Sequence, residues 1–185
     1  MKLILVRHGQ TDANKNGIVQ GVDDNKLNST GIEQAKEVGK ELKKKYKIDM
    51  VFCSPLVRCV ETLNNILAEY PIEGEIFMCK LIQERDFGEY TGTESKMIDW
   101  DDLNQNNKIN KEIGVESWDE VKKRVELFLE DLKLEDENKT ILVVSHAGPM
   151  RVMINKIKNE DLPYEEIEVK NGQVMEFDYK TDLEF

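Results

Sequence analysis

The sequence predicts an α/β protein: a three-layer α/β/α sandwich with a mainly parallel central sheet and an antiparallel edge strand. Three observations carry this expectation. Short apolar runs alternate with segments whose apolar residues recur at helical spacing. Two of the runs, Leu3 to Val6 and Ile141 to Val144, are continuously apolar, as strands covered on both faces are. Near the end, Asn171-Gly172 stands between two strand-like stretches and is a strong hairpin signal. The 185 residues suggest one domain, 1–185, with a lid insertion around 89–116.

Taken in order, Lys2 to Val6 is a buried strand. Gln10 to Leu27 is polar and holds Gly17, Gly21 and Asp23-Asp24-Asn25, so a long loop with at most one helical turn is expected. A helix begins at Ser29-Thr30-Gly31, with Ser29 or Thr30 as N-cap. Ile32, Ala35, Val38, Gly39 and Leu42 form its apolar stripe, and Lys43-Lys44-Lys45 suit the negative end of its dipole. Met50 to Cys53 is a short strand. Ser54-Pro55 has the form of a helix start, Ser54 capping and Pro55 first, with Val57, Val60, Leu63, Ile66 and Leu67 as the buried face.

Glu75 to Cys79 is a further strand, and Leu81 to Gly92 a loop shaped by glycine. Asp99 to Asn110 is acidic and rich in Asn, and forms the expected lid. Ser117-Trp118-Asp119-Glu120 is a capping box, and the following helix turns Val121, Val125, Phe128, Leu129 and Leu132 inward. Thr140 to Val144 is the second central strand. Gly148-Pro149 opens a helix that buries Val152, Met153 and Ile157. Glu166 to Lys170 and Gln173 to Tyr179 pair as a hairpin about Asn171-Gly172.

A chain of this length can bury a core without disulfide or metal staples. Its 37 acidic against 26 basic residues leave a net charge of −11. That balance argues against nucleic acid or an anionic membrane as partner, so any anion site must be built locally from a few placed cations. Cys53, Cys59 and Cys79 are odd in number and form no CxxC. The first apolar run is too short for a secretory signal, and no run approaches transmembrane length. A reduced, cytoplasmic protein is the expectation.

The chain has two histidines, His8 and His146, and each closes an apolar run with a glycine one or two residues later. In a parallel sheet both would stand at strand carboxyl ends, where open α/β sheets bind ligands. Arginine is as scarce, with five: Arg7, Arg58, Arg85, Arg124 and Arg151. Arg7 adjoins His8, and Arg58, on the first turn after Ser54-Pro55, should point back to the same edge. Arg124, inside an amphipathic helix, reads as a surface ion pair, while Arg85 and Arg151 lie beside motifs and could orient a neighbour.

Two imidazoles and two guanidiniums at one sheet edge suit a dianionic phosphoryl group. One imidazole could attack phosphorus and form a phosphohistidine. The arginines and the second imidazole would stabilise charge on the equatorial oxygens. The leaving alkoxide needs an acid, and Glu84, between the apolar pair Leu81-Ile82 and a glycine-shaped loop, is the candidate. A cysteine phosphatase is excluded because only four residues separate Cys53 from Arg58 where that chemistry needs five. A metallohydrolase would need more histidine with carboxylates at ligand spacing.

Five segments, in order from residue 3 to residue 152, resemble the histidine phosphatase superfamily, the phosphoglycerate mutase-like proteins. Arg7-His8-Gly9-Gln10-Thr11 with Asn14 is similar to its RHGxTxxN signature. Gln20-Gly21 with Leu27 and Gly31, Ser54-Pro55-Leu56-Val57-Arg58 with Thr62, and Glu84-Arg85-Asp86-Phe87-Gly88 with Gly92 resemble the next three. Ser145-His146-Ala147-Gly148 is similar to the second-histidine motif. The resemblance implies His8 as nucleophile and Arg7, Arg58 and His146 as the rest of the phosphate pocket. It implies Glu84 as proton donor and later base. Gly9, Asn14, Gln20, Gly21 and Ala147 would line the phosphate and substrate mouth. It implies no metal and no cofactor.

Cofactor-dependent mutases of that family hold a second anionic group through extra basic residues after the acid. Here Glu89 to Glu116 offers Lys96, Lys108 and Lys111, no arginine, and Glu94, Asp99, Asp101 and Asp102. A metal-independent, histidine acid-type phosphatase acting on a small-molecule phosphate monoester is therefore preferred. A cofactor-dependent phosphoglycerate mutase, or a non-catalytic interaction protein on the same fold, is the alternative. Tyr90, Met97 and Trp100 could touch a partly apolar leaving group or pack the lid. Sugar phosphate, phosphoglycerate and ribazole phosphate all remain open as substrates.

Overall fold

The computed structural model describes residues 1–105 and 111–179; Lys108 and the end of the expected lid lie outside them. Five strands, β1 (Lys2–Arg7), β2 (Met50–Cys53), β3 (Glu75–Met78), β4 (Thr140–Ser145) and β5 (Val174–Asp178), form one sheet in the order β3-β2-β4-β1-β5. All neighbours are parallel except β5, which runs antiparallel to β1. In chain order the helices are α1 (Asp12–Lys15), α2 (Ser29–Lys45), α3 (Val57–Glu69), α4 (Trp100–Gln105), α5 (Trp118–Leu132) and α6 (Ala147–Lys158).

The two-residue period of a strand sorts the central side chains into two cores. Leu3, Leu5, Ile141 and Val143 face α5 and α6, while Ile4, Val6, Leu142 and Val144 face α2 and α3. All eight are fully buried, which is why both runs are apolar throughout. This is the expected three-layer sandwich with an antiparallel edge. A third apolar cluster joins Val19, Ile98, Leu103 and Val115 to Phe87, Tyr90, Trp100 and Ile113 at the carboxyl edge. Among the described residues no helix is long and apolar enough to cross a membrane.

Three local expectations are corrected. The cap of α2 is Asn28, whose Oδ1 accepts the Gly31 N–H at 2.9 Å; Ser29 and Thr30 are already helical. The start of α3 is Val57, and Ser54 does not cap it; the Val57 N–H is taken instead by Asp24 Oδ1 at 3.0 Å. Its buried face is Arg58, Cys59, Thr62, Leu63 and Ile66, with Val57, Val60 and Leu67 only partly covered. The helix is turned so that two polar residues are sealed against the sheet edge.

The terminal hairpin does not form. β5 pairs with β1, Val174 opposite Val6, because β1 presents a free edge. The carbonyls of Ile167 and Val169 accept from Arg151 and Arg7. Asn171-Gly172 is still a turn, with Gly172 at φ +68°, but it folds back onto the end of β1.

Candidate active site

Strand register places the histidines together. Arg7 is the register partner of Ser145, so the next residues leave adjacent parallel strands side by side. The His8 N–H continues the ladder to Ser145 O at 3.0 Å. The ring centroids of His8 and His146 lie 5.1 Å apart, close to the roughly 4.8 Å spacing of neighbouring strands.

His8 is buried, and its Nδ1 lies 2.7 Å from Gly9 O. A carbonyl only accepts, so Nδ1 carries the proton and the lone pair sits on Nε2. Burial, then the charges of Arg58 and Arg7, hold its pKa well below that of a free imidazole. The imidazole is therefore neutral and keeps its lone pair at neutral pH. The turn after β1 is held from two sides. The Gly9 N–H donates to Thr62 Oγ1 at 3.0 Å, and Asn171 Nδ2 donates to His8 O at 3.0 Å. Gly9 has no room for a side chain: a Cβ there would lie 2.4 Å from Gly31 O.

Arg58 is fully buried on the first turn of α3. Its Nη1 and Nη2 donate to Asp23 O and Gly21 O, each at 2.7 Å, and its Nε donates to His146 Nδ1 at 3.2 Å. His146 must then carry its proton on Nε2, which lies 2.7 Å from Ser54 Oγ and donates to it. Burial, then Arg58, holds His146 neutral as well. Arg7 Nη1 donates to Val169 O at 2.6 Å. Arg7 Nε is the one buried side-chain nitrogen or oxygen without a partner among the described residues.

Glu84 Oε1 accepts the N–H groups of Arg85 at 2.9 Å and Gly148 at 3.1 Å, so the amino end of α6 holds the carboxylate. A Cβ on Gly148 would come within 2.4 Å of that oxygen. Arg124 is not the surface ion pair expected. It grips both oxygens of Glu116 at 2.6 and 2.9 Å and donates to Leu81 O and Glu84 O at 2.7 and 3.1 Å, bracing the Glu84 segment. Arg85 is buried beside the rings of Phe87 and Trp118, and burial lowers its pKa to about 10.

Arg7, His8, Asn14, Gln20, Gly21, Arg58 and Glu84 line one cavity of about 240 Å³, with Phe87 and Trp100 in its wall. Gly9 and His146 lie outside that lining, Gly9 in the turn that supports His8 and His146 beneath Arg58. Ala147 lines an adjoining cavity of about 420 Å³. Tyr90 packs in the third apolar cluster, and Met97 is exposed. Sequence reasoning missed the bracing roles of Asp24, Arg124 and Asn171. The scarcity of arginine was a usable signal for Arg124, whereas Asn171 carried only a turn signal.

A family model for the histidine phosphatase superfamily (branch 1) matches residues 3–184. A probable phosphatase of Schizosaccharomyces pombe is 36% identical over 158 residues, covering 83% of this chain and 71% of the relative. Phosphoserine phosphatase 1 of Hydrogenobacter thermophilus is 33% identical over 169 residues, covering 88% and 78%. Among solved structures, a mutant phosphoserine phosphatase of Entamoeba histolytica in complex with phosphoserine superposes with a TM-score of 0.80 at 26% identity, covering 95% of this chain and 89% of that one.

Proposed function

The chain belongs to the histidine phosphatase superfamily (branch 1), and from that membership we propose that it hydrolyses the monoester of a small phosphorylated metabolite through a phosphohistidine on His8. The observation that carries the reading is the neutral His8, its proton committed to Gly9 O and its Nε2 lone pair in a cavity walled by Arg7, Arg58 and Glu84. A relative named a probable phosphatase and another named a phosphoserine phosphatase support the same reading.

His8 Nε2 attacks phosphorus while the bond to the leaving oxygen breaks, and protonated Glu84 gives that oxygen its proton. The Nδ1–H···O bond to Gly9 supports the positive charge that develops on the ring. Arg7, with its unpartnered Nε, meets the equatorial phosphoryl oxygens with Arg58. His146 contributes from beneath by orienting Arg58. In the second step Glu84, now a carboxylate, takes a proton from water as that water attacks phosphorus. The P–N bond breaks, releasing inorganic phosphate and neutral His8. The protein works without a resident metal, in the reduced interior of the cell, with the described residues 89–105 and 111–116 acting as part of a lid over the cavity.

The test is to mix the protein with a ³²P-labelled ester and quench in alkali, where phosphohistidine survives. Wild type should carry label and release phosphate; His8→Ala should do neither. Turnover retained by His8→Ala would rule the mechanism out. Cofactor-dependent interconversion of phosphoglycerates faster than phosphate release would make the protein a mutase instead.

A further inference from the structure

Asn171 comes from the far end of the chain, yet its side-chain amide lies across the turn that carries His8. Its Nδ2 donates to His8 O at 3.0 Å, lies 3.4 Å from Gly9 O, and reaches Asn14 Oδ1 at 3.2 Å. An amide nitrogen has two hydrogens, so the three oxygens share them. Two of the three are backbone carbonyls, which only accept, so the NH₂ end of Asn171 is the end that faces His8.

Gly9 O is also the acceptor that holds His8 Nδ1 at 2.7 Å. The ring keeps its proton on Nδ1, and its lone pair on Nε2, only while that carbonyl stays within reach. A residue that pins the carbonyl therefore pins the tautomer. Asn14 depends on the same amide. Its Oδ1 accepts from the Thr11 N–H at 3.1 Å as well as from Asn171, which leaves its own NH₂ end for the cavity that Asn14 lines.

The backbone does not account for an asparagine at this position. The left-handed residue of the turn is Gly172, at φ +68°, and Asn159 is the one described residue other than glycine with a positive φ. The Gly172 N–H already ties the turn to β1, donating to Arg7 O at 3.1 Å and lying 3.3 Å from His8 O. What Asn171 adds is its side-chain amide.

We propose that Asn171 is a positioning residue for phosphoryl transfer: its amide fixes the Gly9 carbonyl, so that His8 keeps its proton on Nδ1, and turns the Asn14 NH₂ toward the phosphoryl group. Its effect on turnover rests on the phosphatase reading above; its effect on the ring does not.

With two histidines in the chain, ¹⁵N NMR of the imidazoles reads the tautomers directly, because protonated and unprotonated ring nitrogens resonate far apart. At neutral pH, wild type should show the proton on Nδ1 of His8 and on Nε2 of His146. In Asn171→Ala, and in Asn171→Leu, which keeps roughly the shape of the amide without a donor or a charge, His8 should become a mixture of tautomers while His146 is unchanged. In both variants kcat/KM on p-nitrophenyl phosphate should fall by about 10-fold to about 100-fold, the upper figure being the cost of misplacing a reacting group by about 1 Å. An unchanged His8 in both variants, or His8 and His146 shifting together as in a loosened fold, would overturn the positioning role. Labelling of wild type keeps the two readings apart. If wild type turns over and takes label while the variants keep its His8 tautomer and its rate, only the role of Asn171 fails. If wild type neither releases phosphate nor takes label, the phosphatase reading fails, and the role in transfer with it.

Discussion

Arg58 Nε donates to His146 Nδ1 at 3.2 Å, joining side chains 88 positions apart in the chain. This bond fixes the tautomer of His146, and through Nε2 it reaches Ser54 Oγ. The same guanidinium holds the carbonyls of Gly21 and Asp23. Lysine keeps the charge but lacks the planar fork, so it cannot serve all three acceptors. Arg58→Lys should lower kcat/KM on p-nitrophenyl phosphate by ~100-fold or more, the usual cost of removing a positioned donor to a transition-state oxygen. Wild-type turnover in that variant would show that Arg58 only fills space.

Gly148 gives a sharper test of Glu84. Alanine is a good helix former, and Gly148 lies inside α6, so Gly148→Ala should fold with a Tm close to that of wild type. Its new Cβ would stand 2.4 Å from Glu84 Oε1, and the carboxylate must move. Displacing a catalytic group by about 1 Å costs on the order of 100-fold. Esters with poor leaving groups, which need the proton, should lose about that much, and aryl phosphates far less. Equal loss on both would assign Glu84 a structural role.

Arg124 tests how the acid is held. Its ion pair with Glu116 is largely shielded, and its other donors go to backbone carbonyls of the Glu84 segment. Arg124→Met strands Glu116 and two acceptors, and should destabilise the fold by about 3 kcal/mol in urea unfolding. At a temperature where the variant is folded, alkyl ester turnover should fall more than aryl phosphate turnover. Unchanged stability would mean that water replaces the guanidinium at no cost.

The fold was legible because its signals are local or periodic. Continuous apolar runs marked β1 and β4, and the capping box at Ser117 with its apolar stripe marked the start and the buried face of α5. The two histidines were legible because scarcity and context coincide. What failed depends on contacts distant in sequence. Ser54 looks like a cap, yet its hydroxyl is taken by His146, 92 positions away. Asn171-Gly172 looks like a hairpin, yet its backbone and amide are spent on Arg7 and His8. Arg124 looks like a surface residue because a helical pattern cannot show that the loop opposite it lacks donors.

The paired histidines also set the acid limit of stability. Both are buried and held neutral, with folded pKa values well below that of a free imidazole, mainly by burial and then by Arg58. In the unfolded chain each titrates near pH 6.5. Below that pH the unfolded state binds protons that the folded state refuses, so stability is complete above about pH 6.5 and is lost as pH falls. The loss should approach about 1.4 kcal/mol per pH unit for each histidine. Exposed carboxylates such as Glu120 and Glu176, whose pKa values are lowered from the ordinary glutamate value, enter only at lower pH. Urea unfolding between pH 7.5 and 5 isolates the histidines. The unfolding free energy should fall across that window, and His8→Gln should halve the slope. A free energy independent of pH there would mean that the folded protein takes up the protons, and that neither imidazole is held neutral.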